Sequence, residues 1–285
     1  MGRRRVWLAT AAIATAALIA GGASAASPEA GGSAHGGRHA SSVVVEDITI
    51  RVPRQDPVQA YVVRPAGHLK RDSAAGVLFL HWLGEINNDR GEYLTEAITL
   101  ADRGVVSVLP QGYFPWVPNP DGTANDVRLV KNQVRAFRAA LNRLASVRAV
   151  DDSRIAVVGH DYGAMYGALL ADSDERVSAM VLQAPDAQMG NWFATFWLQL
   201  EGQERADYLA LFAEVDPVDH TARLGSHVLF QWAGEDEYIP AEVRDAYAAS
   251  SPDAQVKLYE RSDHELTDAA RVDRLAFLAD QLDLD

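Results

Sequence analysis

Short apolar runs alternate along the chain with longer stretches in which apolar residues recur every three or four positions. The first two runs, SVVVEDITIRV and VQAYVVR, alternate apolar and polar residues, which predicts an opening antiparallel pair of strands. Later runs such as AGVLFLHW and SRIAVVG are continuously apolar, as expected for strands that are buried on both faces. The stretches between the runs have the period of amphipathic helices. The pattern predicts a mostly parallel eight-stranded sheet with helices on both faces.

Capping residues predict where some of these helices begin and end. Gly104 is expected to close the helix that follows AGVLFLHW, and Asn125 or Asp126 to cap the long helix NDVRLVKNQVRAFRAALNRLAS. A mixed segment of about 40 residues, from Asp186 to about Gly225, has a helical pattern and is too short for a large cap domain.

The first 25 residues have the layout of a secretory signal peptide. Arg3–Arg5 precede an uncharged apolar run, Val6–Ala20, which is short for a membrane span, and residues 23–25 form a small-residue cleavage site. The sequence therefore predicts a secreted or extracytoplasmic protein, with an uncleaved N-terminal anchor as the alternative. The stretch RRVWL resembles a twin-arginine signal but lacks Ser or Thr before the arginine pair, so both the Sec and the Tat route stay open.

Composition narrows the expected partners. Residues 26–42, rich in Gly, Ser and Ala, are predicted to be a disordered linker, which leaves residues 43–285 as one domain. The net charge is −13, and without Arg3–Arg5 it is −16, from 23 basic and 39 acidic residues. This balance argues against nucleic acid and anionic membranes as partners, and of the substrate it says only that large polyanions are disfavoured. The expected partner is a small-molecule substrate. The sequence has no Cys and no recognisable metal or cofactor motif, and it does not indicate the oligomeric state.

Asp161 stands where chemistry is expected in such a sheet. It lies in GHDYG, directly after the strand SRIAVVG and before the helix GAMYGALLAD, and active sites in these sheets lie at the carboxyl ends of the strands. A sharp strand-to-helix turn crowds the neighbours of its central residue, which explains Gly159 and Gly163. The frame resembles the nucleophile elbow of the α/β-hydrolases, with Asp in place of Ser, and the resemblance covers residues 43–285.

This resemblance implies that an acid and then a histidine complete a triad. Asp236 follows the strand HVLFQ, 75 residues after Asp161, and His264 follows the strand QVKLYE after a further 28 residues. Asp186, after an earlier strand, is the alternative acid. His160 is expected to have a structural role beneath the elbow.

The stretch HWLGEINNDR follows the third strand, where the resemblance places half of an oxyanion hole. Its backbone donor would be the N–H of Trp82 or Leu83, with the N–H of Tyr162 as the second donor. His81 is more typical of a structural loop residue than of a catalytic one.

The motifs resemble two branches of the superfamily. FLHWLGE and the stretch ending in GEDEYIP resemble dienelactone hydrolases, whereas GHD followed by an aromatic residue resembles haloalkane dehalogenases and epoxide hydrolases. A carboxylate that attacks an ester would form a high-energy anhydride, but at a saturated carbon it forms an ordinary alkyl ester. His264, made basic by Asp236, would then activate a water to hydrolyse that ester.

A leaving group needs a donor, and aromatic residues offer several. Indoles suited to a halide are those of Trp82, Trp116, Trp192 and Trp197, and phenols suited to an epoxide oxygen are those of Tyr113, Tyr208 and Tyr238. The loop YFPWVPNP is a candidate pocket wall, and NWFATFWLQL is either core packing or a small lid.

The sequence leaves three functional hypotheses open. The first is an exported hydrolase that uses Asp161, His264 and Asp236 on a haloalkane, haloacid or epoxide. The second is a dienelactone-hydrolase-like carboxylic ester hydrolase, and the third is a non-catalytic protein that binds a ligand or partner.

Overall fold

The computed structural model describes residues 42–82 and 90–284. The predicted signal peptide, all but the last residue of the predicted linker, and Leu83 lie outside this range. Their assignments therefore stay predictions.

The described residues form one eight-stranded sheet. Its order is β1-β2-β4-β3-β5-β6-β7-β8, and only the β1–β2 and β2–β4 pairs are antiparallel. This confirms the predicted mostly parallel sheet and its opening antiparallel pair. The strands are β1 Val43–Ile50, β2 Val58–Pro65, β3 Ala74–Leu80, β4 Val106–Pro110, β5 Val150–His160, β6 Val177–Gln183, β7 Val228–Ala233 and β8 Gln255–Tyr259.

Helices cover both faces of the sheet because the central strands bury side chains on both. In β3, Leu78 packs into the core beneath α2 (Ala124–Ala145) and α3 (Tyr162–Asp172). Phe79 packs on the opposite side with residues of α1 (Leu94–Ala101) and α6 (Asp268–Gln281). Within residues 42–82 and 90–284, no helix combines the length and apolarity needed to cross a membrane. The α-helices are α1 Leu94–Ala101, α2 Ala124–Ala145, α3 Tyr162–Asp172, α4 Gly202–Ala210, α5 Ala241–Ser250 and α6 Asp268–Gln281.

The segment from 186 to 225 contains only short helical pieces and no large cap domain, as predicted. It comprises a π-helical turn at Phe193–Trp197, the helix α4 and three short 3₁₀ turns. In its stretch NWFATFWLQL, Trp192 and Phe193 are buried whereas Phe196 is exposed, so this aromatic stretch contributes partly to the core.

The helix ends show one confirmed prediction and one wrong one. Gly104 follows α1 with a φ of 86°, a conformation that suits glycine. The cap of α2 is Thr123, whose hydroxyl oxygen accepts the N–H of Asn125, because Thr123 is the extended residue just outside the helix. Asp126 is instead buried one turn inside, where it accepts the hydroxyl of Tyr208 at 2.7 Å.

A buried ion pair anchors the sheet directly below the elbow. Arg274 in α6 donates to Glu96 of α1 at 2.6 and 2.9 Å, and to the side-chain oxygens of Gln183 and Gln231 at 2.8 and 3.0 Å. The carbonyl of Gln183 in turn accepts the backbone N–H of Asp161 at 2.8 Å. The network is extensively hydrogen-bonded, which is what a buried charge pair requires, and it ties two helices to the strand ends that carry the site.

Candidate active site

Asp161 occupies a sharp turn between β5 and α3. Its φ of 50° and ψ of −117° are unusual for a residue with a side chain and mark local backbone strain. The flanking glycines are required by close packing. A Cβ on Gly163 would lie 2.0 Å from the carbonyl oxygen of Leu80, and one on Gly159 would lie 2.4 Å from the backbone of Gly163. The structure thus confirms the crowding that the sequence predicted.

The three residues of the predicted triad meet at this turn. Nδ1 of His264 lies 3.0 and 3.1 Å from the two carboxylate oxygens of Asp236, and Nε2 lies 3.5 Å from Oδ2 of Asp161. Asp236 also accepts the backbone N–H groups of Tyr238 and Ile239 at 2.9 and 3.0 Å. At 3.5 Å no full water fits between Asp161 and His264, so an attacking water would have to approach from the side.

The carboxylate of Asp161 is buried without a hydrogen-bond partner. The residue has no exposed surface, and neither carboxylate oxygen makes a hydrogen bond within the described part of the chain. Burial raises the pKa of this group, although the neighbouring His264 partly offsets the effect. Its ion-pair partner is Nε2 of His264 at 3.5 Å, and a buried carboxylate that faces an imidazole on a strained turn is typical of a functional site.

His264 is held between two carboxylates. Burial by itself lowers the pKa of this imidazole, but the attraction of Asp161 and Asp236 outweighs burial and raises it to about 10. Burial likewise opposes the ionisation of Asp236, yet His264 and the two backbone N–H donors lower its pKa. At neutral pH the imidazole of His264 is therefore protonated in the resting site, between Asp161 and Asp236.

Asp186, the alternative acid, does not hold the histidine. It accepts the side-chain amide of Asn191 at 2.6 Å and the backbone N–H of Gln188 at 3.2 Å. The hydrogen bonds found in the described part of the chain join His264 to Asp236 and none join it to Asp186.

The architecture agrees with comparisons to known proteins. A family model described as alpha/beta hydrolase fold matches residues 98–227. The chain has the α/β-hydrolase fold. Acetyl xylan esterase from Paenibacillus sp. R4 is similar, with a TM-score of 0.69, 18% identity and 85% of each chain covered. A comparison with curated protein sequences returns no significant match.

Larger peptidases with the α/β-hydrolase fold are also similar. Oligopeptidase B from Trypanosoma brucei has a TM-score of 0.66 and 12% identity over 86% of this chain. Oligopeptidase B from Leishmania major has a TM-score of 0.64 and 14% identity over 87% of this chain. The chain spans only 38% of the length of each oligopeptidase. At these identities the likeness concerns the fold alone.

In this α/β-hydrolase fold, the loop after β3 differs from the prediction for an oxyanion hole. The backbone N–H of Trp82 donates to Oε2 of Glu92 at 2.7 Å, so the donor expected from Trp82 is already engaged. Leu83 lies outside the described residues. Tyr162 is the first residue of α3, and its N–H is one of the helix-start donors that lack an intrahelical acceptor, so its role as an oxyanion donor stays a prediction.

Glu92 is a site residue that the sequence analysis missed. Besides Trp82 it contacts His160, whose Nδ1 lies 2.9 Å from Oε1 of Glu92 and whose Nε2 lies 3.0 Å from the carbonyl oxygen of His264. His160 thus connects Glu92 with the backbone of His264, next to the elbow. His81 accepts the N–H of Gly112 at Nε2 and contacts the carbonyl of Trp82 through Nδ1. No local motif marks Glu92, because it becomes relevant only through contacts across the sheet.

Several of the predicted aromatic residues surround His264. The ring centroids of Trp82, Tyr238 and Trp192 lie 5.1, 5.1 and 5.7 Å from that of His264. The indole nitrogen of Trp82 is buried and has no hydrogen-bond partner in the described chain. Tyr238 is 38% exposed and thus connects the buried imidazole with the surface.

The other predicted pocket residues are not among the rings that surround His264. Trp116 packs on Trp197 at 4.8 Å, and Trp197 in turn lies 6.4 Å from Tyr162. Tyr113 lines an open groove of about 490 Å³ beside Gln133, which includes none of the triad residues, so its assignment to the pocket wall is not supported by its position. Tyr208 donates its hydroxyl to Asp126 and is therefore not free to serve a leaving group.

Proposed function

We propose that the protein is a hydrolase that opens a carbon–halogen or epoxide bond at saturated carbon, with Asp161 as the nucleophile. The observation that carries this proposal is the buried carboxylate of Asp161 on the strained turn, whose oxygens make no hydrogen bond within the described residues and whose ion-pair partner, Nε2 of His264, lies 3.5 Å away. A purely structural aspartate at such a position would be expected to have partners. A nucleophile instead needs lone pairs that no other group occupies.

In the first step an oxygen of Asp161 attacks the substrate carbon from the side opposite the leaving group. A C–O bond forms, the carbon–halogen bond breaks, and the halide departs with the bonding electron pair. The unpartnered indole N–H of Trp82 suits a halide. With an epoxide, the ring C–O bond breaks instead and the oxygen takes a proton, for which Tyr238 and the imidazolium of His264 are the nearest candidates.

In the second step water hydrolyses the ester on Asp161. Esterification removes the negative charge of Asp161, and with it part of the attraction that raises the pKa of His264. In the epoxide route Nε2 can give its proton to the opened oxygen, and in the halide route Nε2 loses it to solvent. The neutral imidazole then takes a proton from water, and the resulting hydroxide attacks the carbonyl carbon of the ester. The bond from that carbon to the alkyl oxygen breaks, the alkoxide takes the proton back from His264 and leaves as the alcohol, and the Asp161 carboxylate is restored with one oxygen from water.

The engaged N–H of Trp82 does not separate this chemistry from acyl transfer. Both ester hydrolysis and hydrolysis of the Asp161 ester pass through a tetrahedral oxyanion that calls for free backbone donors, and this one donates to Glu92. Dienelactone-hydrolase-like ester hydrolysis and non-catalytic ligand binding are the alternatives that a functional test has to separate. The predicted export of the protein is a separate proposal, which does not affect the chemistry of the site.

A panel of electrophiles tests the proposal. The purified protein is incubated with short haloalkanes, haloacids, an aryl epoxide and a p-nitrophenyl ester, and halide, diol and nitrophenol are measured. We expect halide or diol from the wild type and none from Asp161→Asn, while Asp172→Asn, at the far end of α3, keeps wild-type rates. Ester turnover that survives Asp161→Asn would instead support an ester hydrolase, and binding without any turnover would support a non-catalytic role.

The alkylation step should also depend on pH. Only the ionised carboxylate attacks, and burial raises the pKa of Asp161 above the ordinary aspartate range near about 4. We expect the single-turnover alkylation rate to fall with decreasing pH, at a higher pH than an exposed aspartate would require. The rate is measured at each pH by quenching the reaction at a series of times and determining the alkylated fraction of the protein by intact mass spectrometry. A rate that stays constant down to about pH 4 would contradict the raised pKa.

A further inference from the structure

We propose that Glu92 and His160 form a second carboxylate–imidazole pair that positions both sides of the reaction centre. Glu92 accepts the backbone N–H of Trp82 at 2.7 Å through one oxygen and contacts Nδ1 of His160 at 2.9 Å through the other. Nε2 of His160 lies 3.0 Å from the backbone carbonyl of His264. One chain of hydrogen bonds therefore joins the loop after β3 to the loop after β8.

The acceptors around His160 define its protonation state. A backbone carbonyl can only accept, so Nε2 carries a hydrogen. Burial disfavours ionised Glu92, but the charge and hydrogen bond of His160, together with the Trp82 N–H, lower its pKa. The ring thus has a carboxylate oxygen at Nδ1 and a carbonyl oxygen at Nε2, and two such acceptors suit an imidazolium, which donates from both nitrogens. His81 differs, because its Nε2 accepts the N–H of Gly112 and must be unprotonated.

The position of this cation matters for the neighbouring nucleophile. His160 directly precedes Asp161, and its charge partly offsets the effect of burial on the pKa of that carboxylate. Its ring lies 5.1 Å from the ring of His264. The other titratable or charged groups that influence the pair or its neighbours are Asp161, Asp236, His264, His81, Tyr93 and Arg274.

The pair acts through other residues and touches no reacting atom in our proposal. By holding the carbonyl of His264 and the N–H of Trp82, it sets the backbone from which the imidazole and the indole project. Small displacements of such groups reduce rates strongly, since reacting atoms must meet within a few tenths of an ångström. Glu92 and His160 are therefore positioning residues. Their effect on rate rests on the proposed function, whereas the hydrogen-bond chain does not.

Two variants of the pair and one matched control test this inference. Glu92→Gln removes the charge but keeps one acceptor, and His160→Gln removes the imidazolium. The control is His220→Gln, because His220 forms a comparable carboxylate–imidazole pair with Asp172 at 2.8 Å, at the far end of α3. Histidine ¹⁵N–¹H correlation spectra report the protonation of each imidazole, with His160 and His264 assigned by their loss on substitution. Intact mass spectrometry reports the rate of alkylation of Asp161, and thermal denaturation reports folding.

The wild type should show His160 with two protonated ring nitrogens at neutral pH. We expect Glu92→Gln to lose this signature, to shift the Nδ1 proton of His264 and its titration, and to slow alkylation about 10- to 100-fold. His220→Gln should change none of these. A neutral His160 in the wild type, or unchanged His264 signals and alkylation rate over pH in folded Glu92→Gln, would overturn the proposal.

Failure of the proposed function would look different. If no electrophile alkylates the wild type, the nucleophile assignment fails, while the spectra of His160 and His264 still decide whether the pair exists and holds His264. If Glu92→Gln does not fold, His160→Gln provides the same test through the His264 signal.

Discussion

His264→Gln is expected to stop the reaction halfway and to leave Asp161 as a stable alkyl ester. The carboxylate can still attack the electrophile, but no imidazole remains to take a proton from the hydrolytic water. Loss of this general base should slow hydrolysis of the ester by at least about 10³-fold. Intact-protein mass spectrometry would show a mass increase equal to the alkyl group, and peptide mapping would place it in the segment 159–163.

The controls separate a specific adduct from general labelling of an acidic protein. The double variant Asp161→Asn/His264→Gln should stay unmodified, and His220→Gln should turn over without accumulating an adduct. Modification elsewhere, or no modification with an electrophile that the wild type consumes, would rule out covalent catalysis by Asp161. Turnover in ¹⁸O water offers a second check, because the proposed ester hydrolysis leaves one water oxygen in the Asp161 carboxylate.

Gly163→Ala is expected to cause the largest loss of stability of any single methyl group added to this turn. The new Cβ would lie 2.0 Å from the carbonyl oxygen of Leu80 and 2.8 Å from that of His81, and both obstacles are backbone. Since neither strand β3 nor helix α3 can move without breaking the sheet core, we expect the free energy of unfolding to fall by about 4 kcal/mol or more. Urea denaturation at equilibrium measures the loss.

Gly167→Ala provides a matched control one turn later in the same helix. Its Cβ would meet only side-chain atoms, the closest at 3.1 Å on Val157, and alanine favours a helix interior by about 1 kcal/mol over glycine. We expect little net change from it. Equal effects of the two substitutions would mean that helix propensity, and not the close approach of β3, explains why glycine occupies position 163.

Features with a local cause could be predicted well. The alternation in SVVVEDITIRV and the continuous apolar run of AGVLFLHW identified an edge strand and a central strand, because the exposure of each face is reflected directly in the residue pattern. The cap of α2 was misassigned by two or three residues. Thr123, Asn125 and Asp126 are all good capping residues, and the choice depends on which one the chain leaves extended.

Contacts between distant segments could not be predicted in the same way. Asp236 and Asp186 both follow a strand, and only the path of the loops shows that Asp236 reaches His264. Glu92 lies 68 positions before His160, and nothing near it suggests a partner. The sequence predicts the N–H of Trp82 or Leu83 as an oxyanion donor, but that of Trp82 donates to Glu92, a carboxylate that no motif of the elbow implies.

The order of strands and helices, the place of the turn at Asp161 and the need for glycine beside it were determined by the sequence alone. Each depends on residues close together in the chain and on the fixed geometry of strands and helices. The tertiary structure decided which acid holds His264, which donors are already engaged, and that the buried Asp161 carboxylate faces Nε2 of His264 without a hydrogen bond to other described residues. Those properties arise from long-range packing, which brings side chains from separate strand ends into one buried space where dielectric and hydrogen bonding differ from those in water.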